Sequence, residues 1–249
     1  MVEDILYPLI GRKLYFLHIP KTAGTSVAAM LQQIASAHRL NFHGPLLIDH
    51  LRSIPQWENS DILAGHLGRL PLKSGFEFFT LLRNPIERLY SYYSHVQRDK
   101  NHYFHDIVCD ERMSFEEWLL DPRLKKLNFN MQTRFLSTGA KVPKGESGPK
   151  EWQLQKNFEN QECHKLKLGT AIKTLNMALW LGTPDHLDSL CSFLSYQYNF
   201  HNLSIPTLNV NLEPRKKFTL NEIAAAAPMV KFDQVLFDIA ISRAENPIS

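Results

Sequence analysis

The sequence predicts an α/β protein, a central parallel sheet flanked by helices on both faces, folded as a single domain. Three observations carry the prediction. Residues 13–19 (KLYFLHI), 61–65 (DILAG), 76–82 (FEFFTLL) and 177–181 (MALWL) are short apolar runs with little polar alternation, as in strands buried on both sides. Helical periodicity follows the first, third and fourth of these runs. Turn and cap residues stand at those junctions, and strands that alternate with helices imply crossovers between parallel neighbours.

The first strand passes through residues 20–24 into a helix whose apolar positions are Val27, Met30, Leu31 and Ile34. Residues 61–65 form the second strand. The third, 76–82, meets Asn84 and Pro85, a cap and a first helical position. The helix beyond it presents Ile86, Leu89, Tyr90, Tyr93 and Val96 on one face. The fourth strand, 177–181, is followed by Thr183, Pro184 and Asp185, which open a helix to about residue 196. Two helices broken near Pro228 close the chain, because proline removes a donor and crowds the preceding turn. Residues 138–162, with AKVPKGESGP within them, read as a flexible loop inserted into one domain spanning 1–249.

Composition narrows the function classes. With 44% hydrophobic and 21% charged residues over 249 positions, the chain can build a core and is not of the disordered class. Lys and Arg number 28 against 25 Asp and Glu, a net charge of +3, too little for a surface coated in nucleic-acid phosphate contacts. No apolar run has the length of a membrane span, and the opening Met1-Val2-Glu3-Asp4 carries acids where a signal or transit peptide carries Lys or Arg. Cys109, Cys163 and Cys191 are widely spaced without a CxxC, which predicts buried inert thiols, no disulfide framework and a reducing, cytoplasmic setting.

The first strand–helix junction concentrates oxyanion-binding chemistry. Residues 20–26 read Pro-Lys-Thr-Ala-Gly-Thr-Ser. The first N–H groups of a helix are unpaired and carry partial positive charge, so an anion is stabilised there. Lys21 adds a full charge, Thr22, Thr25 and Ser26 add short donors, and Gly24 lets the backbone approach a ligand. The plain alternative is a capped helix with Lys21 in solvent. The order differs from the GxxxxGK[ST] phosphate loop, since the lysine precedes the glycine and no opening glycine is present. At the second junction Arg83 ends a strand, where its guanidinium can take a phosphate bidentately, and Ser91 lies about two turns along the next helix.

Together, Pro20 to Ser26 and the segment Arg83-Asn-Pro-Ile-Glu-Arg-Leu-Tyr-Ser91 resemble sulfotransferases that use 3′-phosphoadenosine 5′-phosphosulfate (PAPS). The nearest resemblance is to heparan sulfate 2-O- and 6-O-type carbohydrate sulfotransferases and their bacterial relatives. It extends to Asn130-Met-Gln-Thr-Arg-Phe-Leu136 and to Asn209-Val-Asn211 with Arg215, Lys216 and Lys217. The resemblance implies a P-loop-like sheet, no metal, and PAPS held by Lys21, Thr22, Ala23, Gly24, Thr25 and Ser26 with Arg83 and Ser91, leaving 3′,5′-ADP as product. It implies in-line transfer to an acceptor hydroxyl on a carbohydrate or small metabolite, with Lys21 neutralising the leaving oxygen and a general base near neutral pKa.

His66, ending the run 61–65, is the candidate base, with Glu58 and Asp61 as candidate partners. His18 reads as packed or orienting, and His102 with His105 as a surface loop and not a metal site. Arg134 is a candidate contact for the sulfate or acceptor. Arg215 and Lys216 are candidates near the 3′-phosphate, and residues 141–150 a candidate basic lid. Two other classes fit less well. A nucleotide kinase lacks its phosphate loop and metal-holding acid, and a non-catalytic nucleotide- or sulfated-glycan-binding module would make no use of a base.

Overall fold

The computed structural model describes residues 11–47, 50–51, 53–54, 56–124, 129–137, 161–206, 208 and 216–245. Five parallel strands form its sheet: β1 (Leu14–Leu17), β2 (Phe42–Leu46), β3 (Ile62–Gly65), β4 (Glu77–Leu81) and β5 (Trp180–Gly182), in the order β2-β3-β1-β4-β5. The helices are α1 (Gly24–His38), α2 (Pro85–Arg98), α3 (His105–Asp110), α4 (Phe115–Leu120), α5 (Met131–Ser137), α6 (Gln161–Asn176), α7 (Leu187–Tyr198) and α8 (Leu220–Glu245).

Alternation along β1 divides the core. Leu14 and Phe16 face α1 and α7, packing with Val27, Leu31, Leu190 and Leu194. Tyr15 and Leu17 face the opposite layer, with Phe135 of α5, Leu175 of α6 and Leu236 of α8. Both faces are thus covered, which explains why β1, β3 and most of β4 are apolar without a polar side. A third cluster joins Leu89 and Tyr93 of α2 to Trp118 of α4 and to Ala226 and Met229 of α8.

The structure revises several expectations. The edge strand β2 (FHGPL) contains Gly44 and Pro45 and has no apolar period, so nothing in the sequence marks it as a strand. It exists because Gly65 and Gly44 allow close approach: a Cβ on Gly65 would lie 2.4 Å from the Leu46 carbonyl oxygen, and one on Gly44 2.7 Å from that of Ala64. The run 177–181 contributes strand only from Trp180, as Met177 and Leu179 are exposed. One helix, not two, passes through Pro228. Residues 161 and 162 already belong to α6, and residues 138–160, including the basic stretch 141–150, lie outside the described residues. Cys109 and Cys191 are free thiols and half-buried, not fully enclosed. No helix among the described residues is long and apolar enough to cross a membrane.

Candidate active site

The connections after β1 and β4 leave these adjacent strands in opposite directions, since α1 leads to β2 and α2 leads toward β5. In an open parallel sheet, such a divergence leaves a crevice beyond the carboxyl ends of the two strands. Lys21 and Arg83 both stand at its rim.

The loop after β1 holds two strained residues. Lys21 (φ 71°) and Ala23 (φ 68°) are both left-handed, although neither is glycine. Each such residue costs roughly 1–2 kcal/mol, a strain that persists only where the surrounding structure holds it. Helix α1 begins with no side-chain cap and no acid in its first turn. By contrast, Asn84 caps α2 through bonds from the Ile86 and Glu87 N–H groups, and Ser114 with Glu117 forms a capping box on α4.

The three hydroxyls divide between structure and surface. Thr22 is fully buried and its Oγ1 donates to the Ile19 carbonyl at 2.8 Å, closing the loop on itself. Ser26 exchanges two 3.2 Å bonds with the Leu208 backbone. Thr25 is exposed. Gly24 faces the His18 ring: a Cβ there would lie 1.9 Å from its Cδ2 and Nε2.

Arg83 is half-buried, and its Nη1 reaches the Lys21 carbonyl at 3.5 Å, while its Nε lies 3.5 Å from Glu87. These are long, weak contacts that leave the guanidinium available. Lys21 has only cations as its stronger electrostatic neighbours. Burial, then Arg98, Arg83 and Arg88, push its pKa down to about 8. Ser91 is half-buried on α2.

His66 stands just past the end of β3. Its Nδ1 lies 2.7 Å from the His18 carbonyl oxygen, which can only accept. Nδ1 therefore carries the proton, and Nε2 is left as a basic acceptor. Burial lowers the pKa of His66 despite that bond, so the ring is neutral at pH 7. The rings of His18 and His66 lie 4.3 Å apart, and Phe135 meets His66 edge-on at 5.8 Å. The expected acidic partners are elsewhere: Asp61 accepts from the Asn41 N–H and Glu58 from Ser74. A backbone carbonyl orients this histidine.

The remaining candidates have partners of their own. Arg134 is buried beside Asp233 and Arg88, with its pKa lowered to about 10 by burial. The Lys216 ammonium pairs with Glu222 at 2.7 Å and sits 4.7 Å above the Tyr90 ring and 5.2 Å above that of Phe115. A cation so satisfied is held by its own chain. Arg215, Asn209 and Asn211 lie outside the described residues. His102 bonds Tyr92 and the Phe104 N–H, His105 bonds the Val96 carbonyl, and no metal-holding group of His, Cys, Asp or Glu occurs among the described residues.

Sequence reasoning missed Gln132 and Asp233. Gln132 is fully buried, its Oε1 accepting from the Arg83 N–H and its Nε2 donating to the Arg83 carbonyl, both at 3.0 Å. Asp233, also fully buried, accepts from the N–H groups of Gln132 (3.1 Å) and Thr133 (2.8 Å) and from the Thr133 hydroxyl (2.8 Å).

The left-handed residues after β1, the arginine after β4 and the histidine after β3 belong to one α/β protein, with Lys21 and Arg83 meeting beyond the carboxyl edge of its parallel sheet. The sulfotransferase family model matches residues 11–168, from before β1 into α6, and the chain belongs to that family of enzymes. Comparison with curated proteins gives no significant match.

Proposed function

We propose that this enzyme transfers the sulfuryl group of PAPS to a hydroxyl of a carbohydrate or a small hydroxylated metabolite, with His66 as general base and no metal. The observation that carries the reading is the approach of Arg83, after β4, to the carbonyl of Lys21, after β1, a lysine whose strongest charged neighbours are all cations. Such a concentration of positive charge is costly until a polyanion fills it.

In this reading, the residue 20–26 loop holds the phosphosulfate end of the donor, and Arg83 with Ser91 holds its 3′-phosphate. The acceptor hydroxyl gives its proton to His66 Nε2 as its oxygen attacks sulfur. The bond from sulfur to the 5′-phosphate oxygen breaks, and Lys21 offsets the charge arriving on that oxygen. The products are a sulfate ester and 3′,5′-ADP, with the proton on His66 still tied through Nδ1 to the His18 carbonyl. Positioning and preorganised charge supply most of the acceleration. The free thiols of Cys109 and Cys191 suit a reducing cytoplasm.

The test pairs calorimetric titration with 3′,5′-ADP and transfer of labelled sulfate from PAPS into extracted metabolites and oligosaccharides. His66→Ala is expected to lose roughly 10²–10⁴ in rate while keeping its affinity for 3′,5′-ADP. No binding of 3′,5′-ADP at millimolar concentration, or stabilisation by ATP–Mg²⁺ in its place, sinks the reading.

A further inference from the structure

We propose that Gln132 is a positioning residue for the anion contact of Arg83, with Asp233 as its anchor; this rests on the assignment of Arg83 to the 3′-phosphate. Arg83 lies where regular structure lapses. The last ladder bond on this path is from the Leu82 N–H to the Gly182 carbonyl, and the first carbonyl used by α2 is that of Asn84, which accepts from Arg88. Neither the N–H nor the C=O of Arg83 therefore has a partner in the sheet or the helix.

The Gln132 amide supplies both, in a two-bond bracket at 3.0 Å on each side. A half-buried backbone that loses such a bracket leaves two polar groups without their partners and rotates to find others, moving the side chain it carries. The bracket is itself held. Gln132 lies in the first turn of the short helix α5, and its N–H, with the N–H and hydroxyl of Thr133, donates to the buried Asp233 carboxylate of α8. The connection from Asp233 through Gln132 to Arg83 touches the crevice only at its last member.

A double-mutant cycle on 3′,5′-ADP affinity separates this role from general loosening. Gln132→Leu is expected to weaken binding about tenfold, the effect of losing a buried bond pair. Because the effect runs through Arg83, Arg83→Ala combined with Gln132→Leu is expected to bind no more weakly than Arg83→Ala alone. Gln132→Glu keeps the acceptor but donates only when protonated. Its affinity relative to wild type should recover as pH falls from 8 to 5.5, and the same cycle can be run on it if the leucine variant does not fold. Additive losses, wild-type affinity in Gln132→Leu, or a pH-independent ratio for Gln132→Glu overturn the inference. An Arg83→Ala protein that binds like wild type overturns the 3′-phosphate assignment and this inference with it. Arg83 dependence combined with an additive cycle overturns the inference alone.

Discussion

At Gly24 the chain passes from loop into helix against the face of the His18 ring. That ring is itself enclosed, stacked on Phe16 with centroids 5.3 Å apart and lying 4.3 Å from the His66 ring. A methyl group at Gly24 has to displace it, and overpacking of this kind costs about 1–3 kcal/mol. Gly24→Ala is expected to lower the denaturant midpoint accordingly, and His18→Ala in that background to restore part of the loss. A Gly24→Ala protein as stable as wild type would contradict the packing described. The sequence points to this glycine through its neighbours and suggests a ligand as the reason for it. The space is taken by an imidazole six residues upstream, a proximity that appears only once the loop has turned. The hydroxyls behave similarly: their types suit an oxyanion site, yet Thr22 and Ser26 bond to backbone carbonyls, a choice that side-chain chemistry alone does not decide.

Among the elements, α8 departs most from expectation, and the reason lies in another segment. Pro228 contributes no N–H and crowds the preceding turn, which favours a break. Asn130 repairs the region: its Oδ1 accepts from the Phe232 and Asp233 N–H groups, and its own N–H donates to the Met229 carbonyl at 2.7 Å. Asn130 adopts a positive φ of 44°, which asparagine tolerates better than most residues. Asn130→Ala leaves these buried donors without their side-chain acceptor and is expected to cost about 1–3 kcal/mol, read by thermal melting. An unchanged melting curve would refute the repair. Strong apolar runs made β1, β3 and β4 legible, as did the Asn84–Pro85 start of α2. The strand β2 was not, because its pairing depends on glycines in two segments that meet only in the sheet.

For the molecule as a whole, the excess of +3 says little until the fold gathers charge at one edge. The ends of β1, β3 and β4 lie on one edge of the parallel sheet, and burial lowers the pKa of both His66 and Lys21 there. Under the proposed mechanism His66 works deprotonated, so kcat/KM is lost as pH falls through a pKa that burial holds below the ordinary 6.5. Lys21 works protonated, so kcat/KM is also lost as pH rises through about 8. The expected profile is a bell, with Lys21→Arg carrying the alkaline limb upward. A rate that is flat to pH 9.5 in the wild-type enzyme would refute the role of Lys21. The class of fold and its two strand–helix junctions could be read locally, whereas the Gln132–Asp233 support joins residues about 100 apart.

The bracket on Arg83 also sets an order in time. The amide that fixes Arg83 belongs to residue 132, and the carboxylate that fixes that amide belongs to residue 233, so 233 − 83 = 150 residues separate the contact from its final support. At a synthesis rate of about 5–20 residues per second, a growing chain carries its arginine for roughly 8–30 s before the anchor exists. Until then the sheet edge has its charges but not their placement, and under the proposed function the nascent protein has no finished site with which to capture a nucleotide.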